Sequence, residues 1–294
     1  MLNDDSPIIG NARHILSLLD PVIPKSSTTG LASSAEVTAP VIVGLTGLQG
    51  SGKSTYASAL VSLLRRTPYN LNATTVSLDD FYHTHDNLVK LRNSNPENKL
   101  LWTRGQPGTH DEELAEQFFA STRHIADVMD ANDNDDQTLR IPVFDKSLFG
   151  GEGDRVPVQD WPKITPIDVI VFEGWCIGFR PLPAKTVSEK HERGSTGQSC
   201  VNEAPDQHNL SHASTNTTAD HSLSHLLQLN ENLRKYCSTF MGPQNFDCLV
   251  HLDTDDLMNV YTWRLDQEHA LKRCKGSGMS DTEVVGFVRG YMPS

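Results

Sequence analysis

Residues 47–54 read Gly-Leu-Gln-Gly-Ser-Gly-Lys-Ser and directly follow the β-branched run VIVGLT at 41–46. The spacing fits GxxxxGK[ST], a loop whose main-chain amides wrap phosphate oxygens. Gly47, Gly50 and Gly52 permit backbone torsions that other residues resist and let the amides come close to an anion. Leu48, Gln49 and Ser51 complete the loop, and Lys53, Ser54 and Thr55 open the next segment. Successive N–H groups at a helix start form an anion nest. Lys53 is expected to pair with the β/γ-phosphates of a nucleoside triphosphate, and the Ser54 hydroxyl to bind Mg²⁺. A buried strand, a glycine turn and a helix in that order restrict the chain to an α/β architecture.

The remaining pattern agrees. From Lys53 onward Ala57, Leu60, Val61 and Leu64 recur at helical spacing, and Pro68 marks the stop. TTVSL at 74–78, DVIVFEGW at 168–175 and CLVHLD at 248–253 read as further strands. Helices are expected over 7–20, with Ile15, Leu18 and Leu19 on one side, and after Thr109, which with Glu112 makes a capping box ahead of Leu114, Phe118 and Ile125. Two more are expected over 256–272 and near 281–292, the last with a capping box at Ser280 and Glu283. Alternating strands and helices imply a three-layer fold on a parallel sheet, with ligands at the carboxyl ends of the strands.

Domain organisation follows from where apolar residues run out. Residues 1–40 read as an N-terminal helix and a Ser/Thr/Ala-rich linker, and 41–294 as one domain. Residues 130–138 form an acidic loop. The stretch at about 185–222 is rich in Ser, Thr, Asn, Gln and His, and reads as a disordered insertion because it has little to bury. His191, His208, His212 and His221 within it are too loosely spaced to suggest a metal site.

The formal net charge of −12 argues against a general nucleic-acid binder, so any phosphate site must be local. Five scattered cysteines without CxxC spacing give neither a disulfide framework nor a zinc site. No apolar run has the length of a membrane span. Together these place the protein in the cytoplasm, with the nucleus as the alternative compartment. Oligomeric state leaves no mark on the sequence.

Candidate chemistry clusters at predicted strand ends. Asp79 closes the second strand and suits acceptance of a proton from an acceptor hydroxyl, while Asp80 suits a water-mediated Mg²⁺ contact. Glu173 ends VIVFE, the position of an acidic metal or water ligand beside such a loop. Arg104, His110 and Asp111 lie in a loop dense in turn formers, and Asp145, Lys146 and Arg155 lie in a second. Lys146 and Arg155 are placed to neutralise an acidic acceptor. Tyr82 and Trp102 keep a stacked nucleoside open as the alternative. Arg264, His269 and Lys272 fit a basic lid.

GLQGSGKST, SLDDFY, RGQPGTHD, IPVFDKSLFGGEGDR, VFEGWCIGF and YTWRLDQEHALK follow one another in the chain. In that order they resemble the D-glycerate 3-kinase family and its fungal ATP-dependent kinases, over residues 41–184 and 226–294. More distantly the chain is similar to uridine kinase, phosphoribulokinase and bacterial pantothenate kinase. The resemblance implies a P-loop NTPase fold, ATP as donor, Mg²⁺ as cofactor and a small hydroxylated acceptor, D-glycerate or a similar hydroxy acid. It puts Asp79 at the catalytic base and Glu173 at the acidic end of the third strand, and carries Lys53 and Ser54 over directly; beside them Asp80 is expected to help hold Mg²⁺ through water and Arg264 of the lid to act on the transferring phosphoryl group. Tyr82, Arg104, His110, Asp145, Lys146 and Arg155 fall in acceptor-side motifs. Relatives continue into a further strand and an adenine-side loop beyond the point matching Tyr291. A sheet lacking its C-terminal strand is therefore expected, and with it the alternative of a catalytically impaired, ATP-binding regulator.

Overall fold

The strands of the main sheet divide their side chains between two apolar layers, which is why they read as continuous hydrophobic runs. In the computed structural model, which describes residues 6–24, 39–123, 140–163, 167–196, 213–276 and 278–292, β1 (Val41–Gly47), β2 (Ala73–Ser77), β5 (Val169–Gly174) and β6 (Cys248–Leu252) form a parallel sheet in the order β2-β5-β1-β6. Ile42, Val76, Ile170 and Phe172 enter one core, while Val43, Leu45, Ala73, Val169 and Val171 enter the other. Among the described residues β6 and β2 are the sheet edges. β3 (Phe144–Asp145) and β4 (Asp154–Arg155) pair separately as a two-stranded antiparallel ribbon.

Helices cover both faces. α1 (Pro7–Leu19) and α2 (Lys53–Leu64) close the second core through Ile9, Ala12, Leu16, Leu19, Ala57, Leu60 and Leu64. The apolar stripe of α1 runs 9-12-16-19 with Ile15 packed beside it; of the expected face Leu19 is buried, whereas Leu18 is 67% exposed. The first core is closed by α4 (Glu112–Arg123), through Ala115, Phe118 and Phe119, and by α6 (Leu223–Thr239), through Tyr236. α3 (His85–Ser94) lies beside the small ribbon, its Leu88 packed with Tyr82 and Phe144. α7 (Asn259–Lys275) and α8 (Asp281–Arg289) pack on each other around Val260, Tyr261, Leu265, Val284, Val285 and Val288.

Two expectations about local structure change. The cap of α4 is Asp111, whose Oδ1 accepts from the Leu114 amide at 3.1 Å. Thr109 turns its hydroxyl into its own loop, accepting from Gly105 N at 3.0 Å and donating to Gln106 O at 2.7 Å. The polar stretch after Pro183 begins with a helix, α5 (Ala184–Ser195), which buries Val187 against Leu226 and Leu229 of α6. Helix-forming Lys and Glu residues and one apolar anchor suffice there. Residues 25–38 of the expected linker at 25–40, the acidic loop at 130–138, Ile125, His208 and His212 lie outside the described residues.

The capping box of Ser280 and Glu283 forms as expected at α8. No described helix is long and apolar enough to cross a membrane, and no described cluster of His, Cys, Asp and Glu is arranged to hold a metal ion by itself.

Candidate active site

The glycine loop joins β1 to α2 at the carboxyl edge of the sheet. Gly50 and Gly52 hold φ of 80° and 84°, in the left-handed region where other residues are strained. Space is also closed at Gly50, where a Cβ would lie 2.6 Å from the Cβ of Trp263 on α7. The loop is thus clamped between its own helix and α7, with Leu48 packed into the α7–α8 cluster. Lys53 folds back to donate from Nζ to Leu48 O at 2.8 Å. Burial lowers its pKa, against the nearby carboxylates of Glu173 and Asp79. The Ser51 hydroxyl is buried without a partner.

Glu173, 7% exposed, sits where β5 leaves the sheet. Its Oε1 accepts from Ser54 Oγ at 3.1 Å and from Ser77 Oγ at 2.9 Å. One carboxylate oxygen therefore joins the phosphate loop to the end of β2. Among the described residues Glu173 has no salt-bridge partner, and burial raises its pKa. The site consequently pushes both Lys53 and Glu173 toward neutrality. Phosphate beside the lysine and a divalent cation beside the glutamate would restore both charges. The orphan Ser51 hydroxyl and this unpaired carboxylate fit an ATP–Mg²⁺ complex.

Asp79 follows β2 in a single 3-10 turn, Leu78–Phe81. Its Oδ2 is in contact with Lys146 Nζ, and its Oδ1 accepts from the Tyr82 hydroxyl at 2.9 Å. Burial works to raise its pKa, but the Lys146 ammonium, with help from the Tyr82 hydroxyl, leaves it below the usual carboxylate range. Asp80 is tied to the main chain. Its Oδ2 accepts from the Ser77 amide at 3.3 Å and its Oδ1 from the Phe144 amide at 3.2 Å. Burial lifts its pKa to about 6, against those two hydrogen bonds. Asp80 closes the turn that carries Asp79 and ties it to β3.

The acceptor-side residues converge on the same turn. Tyr82 is buried, stacks on His110 at 4.3 Å between ring centroids and meets Phe144 edge-on at 5.3 Å. Arg155 donates to Tyr82 O at 2.8 Å and pairs with Asp111 at 2.9 Å. Arg104 donates from Nη1 to Gly151 O at 2.7 Å and to Glu152 O, with its guanidinium 5.6 Å from the Phe144 ring. Asp145 accepts from both the amide and the hydroxyl of Ser147, which lowers its pKa and makes it a turn former. Lys146 is the cation of this group that reaches Asp79.

Two of the lid residues are paired with carboxylates of α7 and α8. Arg264 pairs with Glu268 at 3.0 Å and lies 5.4 Å from the Phe287 ring, while His269 meets Asp281 at 2.8 Å. The backbone of α7 approaches the phosphate loop at Trp263 and Arg264, but the Arg264 guanidinium is held on its own helix.

No protein-family model matches the chain. It is 39% identical over 257 residues to the uncharacterized kinase mug58 of Schizosaccharomyces pombe, an alignment covering 86% of this chain and 79% of that one. It is 32% identical over 284 residues to the probable ATP-dependent kinase TDA10 of Saccharomyces cerevisiae, covering 96% and 83%. The solved structure of D-glycerate 3-kinase from Cryptococcus neoformans var. grubii superposes with a TM-score of 0.75 at 36% identity, over 98% of this chain and 87% of that one. The chain belongs to the D-glycerate 3-kinase family.

Within this P-loop kinase fold, sequence reasoning missed four residues at the site. Ser77 bonds Glu173. Trp175 donates from its indole to Gly105 O at 3.0 Å and packs edge-on against Tyr291 at 5.2 Å. The Tyr291 hydroxyl lies so close to Gly105 that a Cβ there would sit 2.1 Å from it. Tyr236 of α6 bonds the backbone of the acceptor loop. Only Ser77 and Trp175 had a local signal, each lying two residues from a motif residue, Asp79 and Glu173. Tyr236 and Tyr291 arrive from distant sequence.

Proposed function

We propose that this protein transfers the γ-phosphoryl group of ATP to a hydroxyl of D-glycerate or a closely similar hydroxy acid. The observation that carries this reading is the single Glu173 oxygen shared by Ser54 and Ser77. It locks the phosphate loop to the strand end from which Asp79 emerges, so donor and base share one crevice.

In this scheme the loop 47–55 wraps the triphosphate, and Lys53 leaves the Leu48 carbonyl for phosphate oxygens. Ser54 and Glu173 would hold Mg²⁺, which when bound neutralises phosphate charge and orients the transferring group. Asp80 supports them by fixing the turn. Asp79, kept ionised by Lys146, accepts the proton of the acceptor hydroxyl. Arg264, on the helix seated over the loop, would exchange Glu268 for the transferring phosphoryl group once nucleotide binds.

An acidic acceptor is favoured by the cations. Lys146 has its side chain 55% exposed beside Asp79, and Arg104 flanks the same turn at the Phe144 ring. A nucleoside would need a free aromatic face. Tyr82 is stacked on His110 with its hydroxyl bound to Asp79, and the Trp102 indole N–H bonds Asn95 O at 3.3 Å with Lys99 over its ring.

The test is ADP release by purified protein with D-glycerate, other short hydroxy acids and nucleosides in parallel, with and without Mg²⁺. Turnover with D-glycerate alone or best is the expected result. Preference for a nucleoside overturns the acceptor assignment, and ATP binding without turnover of any acceptor would make the protein an ATP-binding regulator.

A further inference from the structure

The phenol oxygen of Tyr236 carries three contacts. It accepts from the amides of Gly108 at 2.7 Å and His110 at 3.1 Å, and it lies 3.0 Å from Nδ1 of His110. Both side chains are buried, Tyr236 completely and His110 to 1% exposure. A phenol oxygen offers two acceptor sites and one proton. The two main-chain amides use the acceptor sites, so the hydroxyl proton remains for Nδ1. A proton on Nδ1 would instead crowd four hydrogens around one oxygen. The imidazole is neutral, because burial holds its pKa down at about 3 against the nearby charge of Asp79. Its single proton therefore resides on Nε2, and that atom is buried with no hydrogen-bond partner. The same ring is stacked on Tyr82, whose hydroxyl donates to Asp79.

We propose that Tyr236 is a positioning residue that fixes His110 as the Nε2–H tautomer, so that the acceptor meets a neutral N–H donor next to the base Asp79. The group it reads is an acceptor oxygen, either of the hydroxyl being phosphorylated or of the neighbouring carboxylate. The idea rests on the acceptor site described above, and it adds a specificity rule. An analogue with an N–H or ammonium group at that position would face a donor and be rejected, because a buried polar group would be left unpaired.

The first experiment needs neither nucleotide nor acceptor. Imidazole nitrogen NMR of the ¹⁵N-labelled full chain, with His110 assigned by the loss of its signals in His110→Gln, should show a protonated Nε2 and a bare Nδ1 that stay so as the solution is acidified from neutral to mildly acidic pH. If His110→Gln does not fold, assignment comes from ring-proton contacts with Tyr82, whose ring centroid is 4.3 Å away. A protonated Nδ1, or a doubly protonated ring at neutral pH, overturns the proposal. The second experiment is kinetic. Tyr236→Phe should raise KM for D-glycerate about tenfold while leaving KM for ATP unchanged, the loss of one hydrogen bond's worth of orientation. In a His110→Gln background the same change should cost less than about threefold, since a glutamine amide donates without a tautomer to set. Equal costs in the two backgrounds would make Tyr236 merely structural and sink the idea. Should D-glycerate not be turned over at all, the acceptor assignment fails, while the NMR result still decides the tautomer.

Discussion

Lys146 reaches from the β3–β4 ribbon to contact Oδ2 of Asp79, so the residue proposed as the base enters the reaction already paired with a cation. Burial alone would raise the pKa of Asp79, and the Lys146 ammonium is the principal influence that reverses it. Replacing Lys146 with Met should let the Asp79 pKa rise. The active form is the deprotonated one, so the acid limb of kcat/KM should move to higher pH, which a pH–rate profile reads directly. The KM for an acidic acceptor should also rise about tenfold, through loss of a charge-assisted hydrogen bond. An unmoved acid limb would separate Lys146 from Asp79 functionally.

Asp79→Asn keeps the shape of the side chain and its reach to Tyr82 but cannot take a proton. The expected loss is roughly 10²- to 10⁴-fold in kcat, the range of a general base, with ATP affinity almost unchanged. Single-turnover kinetics beside nucleotide titration would measure the two. Parallel loss of both would mean that Asp79 supports the turn and does no chemistry.

Lys53→Ala removes a side chain whose hydrogen bond is to the loop's own Leu48 carbonyl. Stability therefore has little to lose, whereas the phosphates lose the one cation that the loop itself contributes. Phosphoryl transfer should fall at least about a hundredfold, with thermal melting of the free protein essentially unmoved. Wild-type turnover in this variant would refute the whole scheme for the crevice.

How much of this could be read in advance depends on sequence distance. The phosphate loop, its strand and its helix occupy one continuous stretch, so 41–64 carries its own instructions: β-branched residues, then glycines at the required positive φ, then apolar residues at helical spacing. The positions of Glu173 and Asp79 at the carboxyl edge of the sheet were legible because the one closes an apolar strand and the other follows one within two residues. The α4 cap was misassigned between Thr109 and Asp111, two residues apart and both good caps. What decides between them is the Thr109 hydroxyl, drawn into the turn around Gly105 and Gln106. Asp80 drew the same ambiguity, a carboxylate equally apt for a metal or a turn, and what the sequence did not show is that it accepts from two amides, one of them on the distant β3. Tyr236 was out of reach altogether. It lies on α6, 126 residues beyond the histidine it orients, and nothing in LSHLLQLNENLRKYCST distinguishes a site residue from an apolar stripe.

The depressed pKa of His110, about 3, also has a consequence for stability. Burial disfavours the charged ring, so between an unfolded-state value near 6.5 and the folded value the unfolded chain binds more protons than the native one. Stability from this group is therefore full above that window and is lost as pH falls through it. Asp80 acts in the opposite sense, since its carboxyl is raised to about 6 in the folded state and takes up its proton there more readily than when unfolded. The two can be separated by mutation. Urea unfolding at pH about 7 and about 5 should show His110→Gln losing about 2 kcal/mol less over that interval than the wild-type protein. An identical loss in both proteins would mean that His110 is not held neutral by burial, and the neutral donor assigned to it would lose its physical basis.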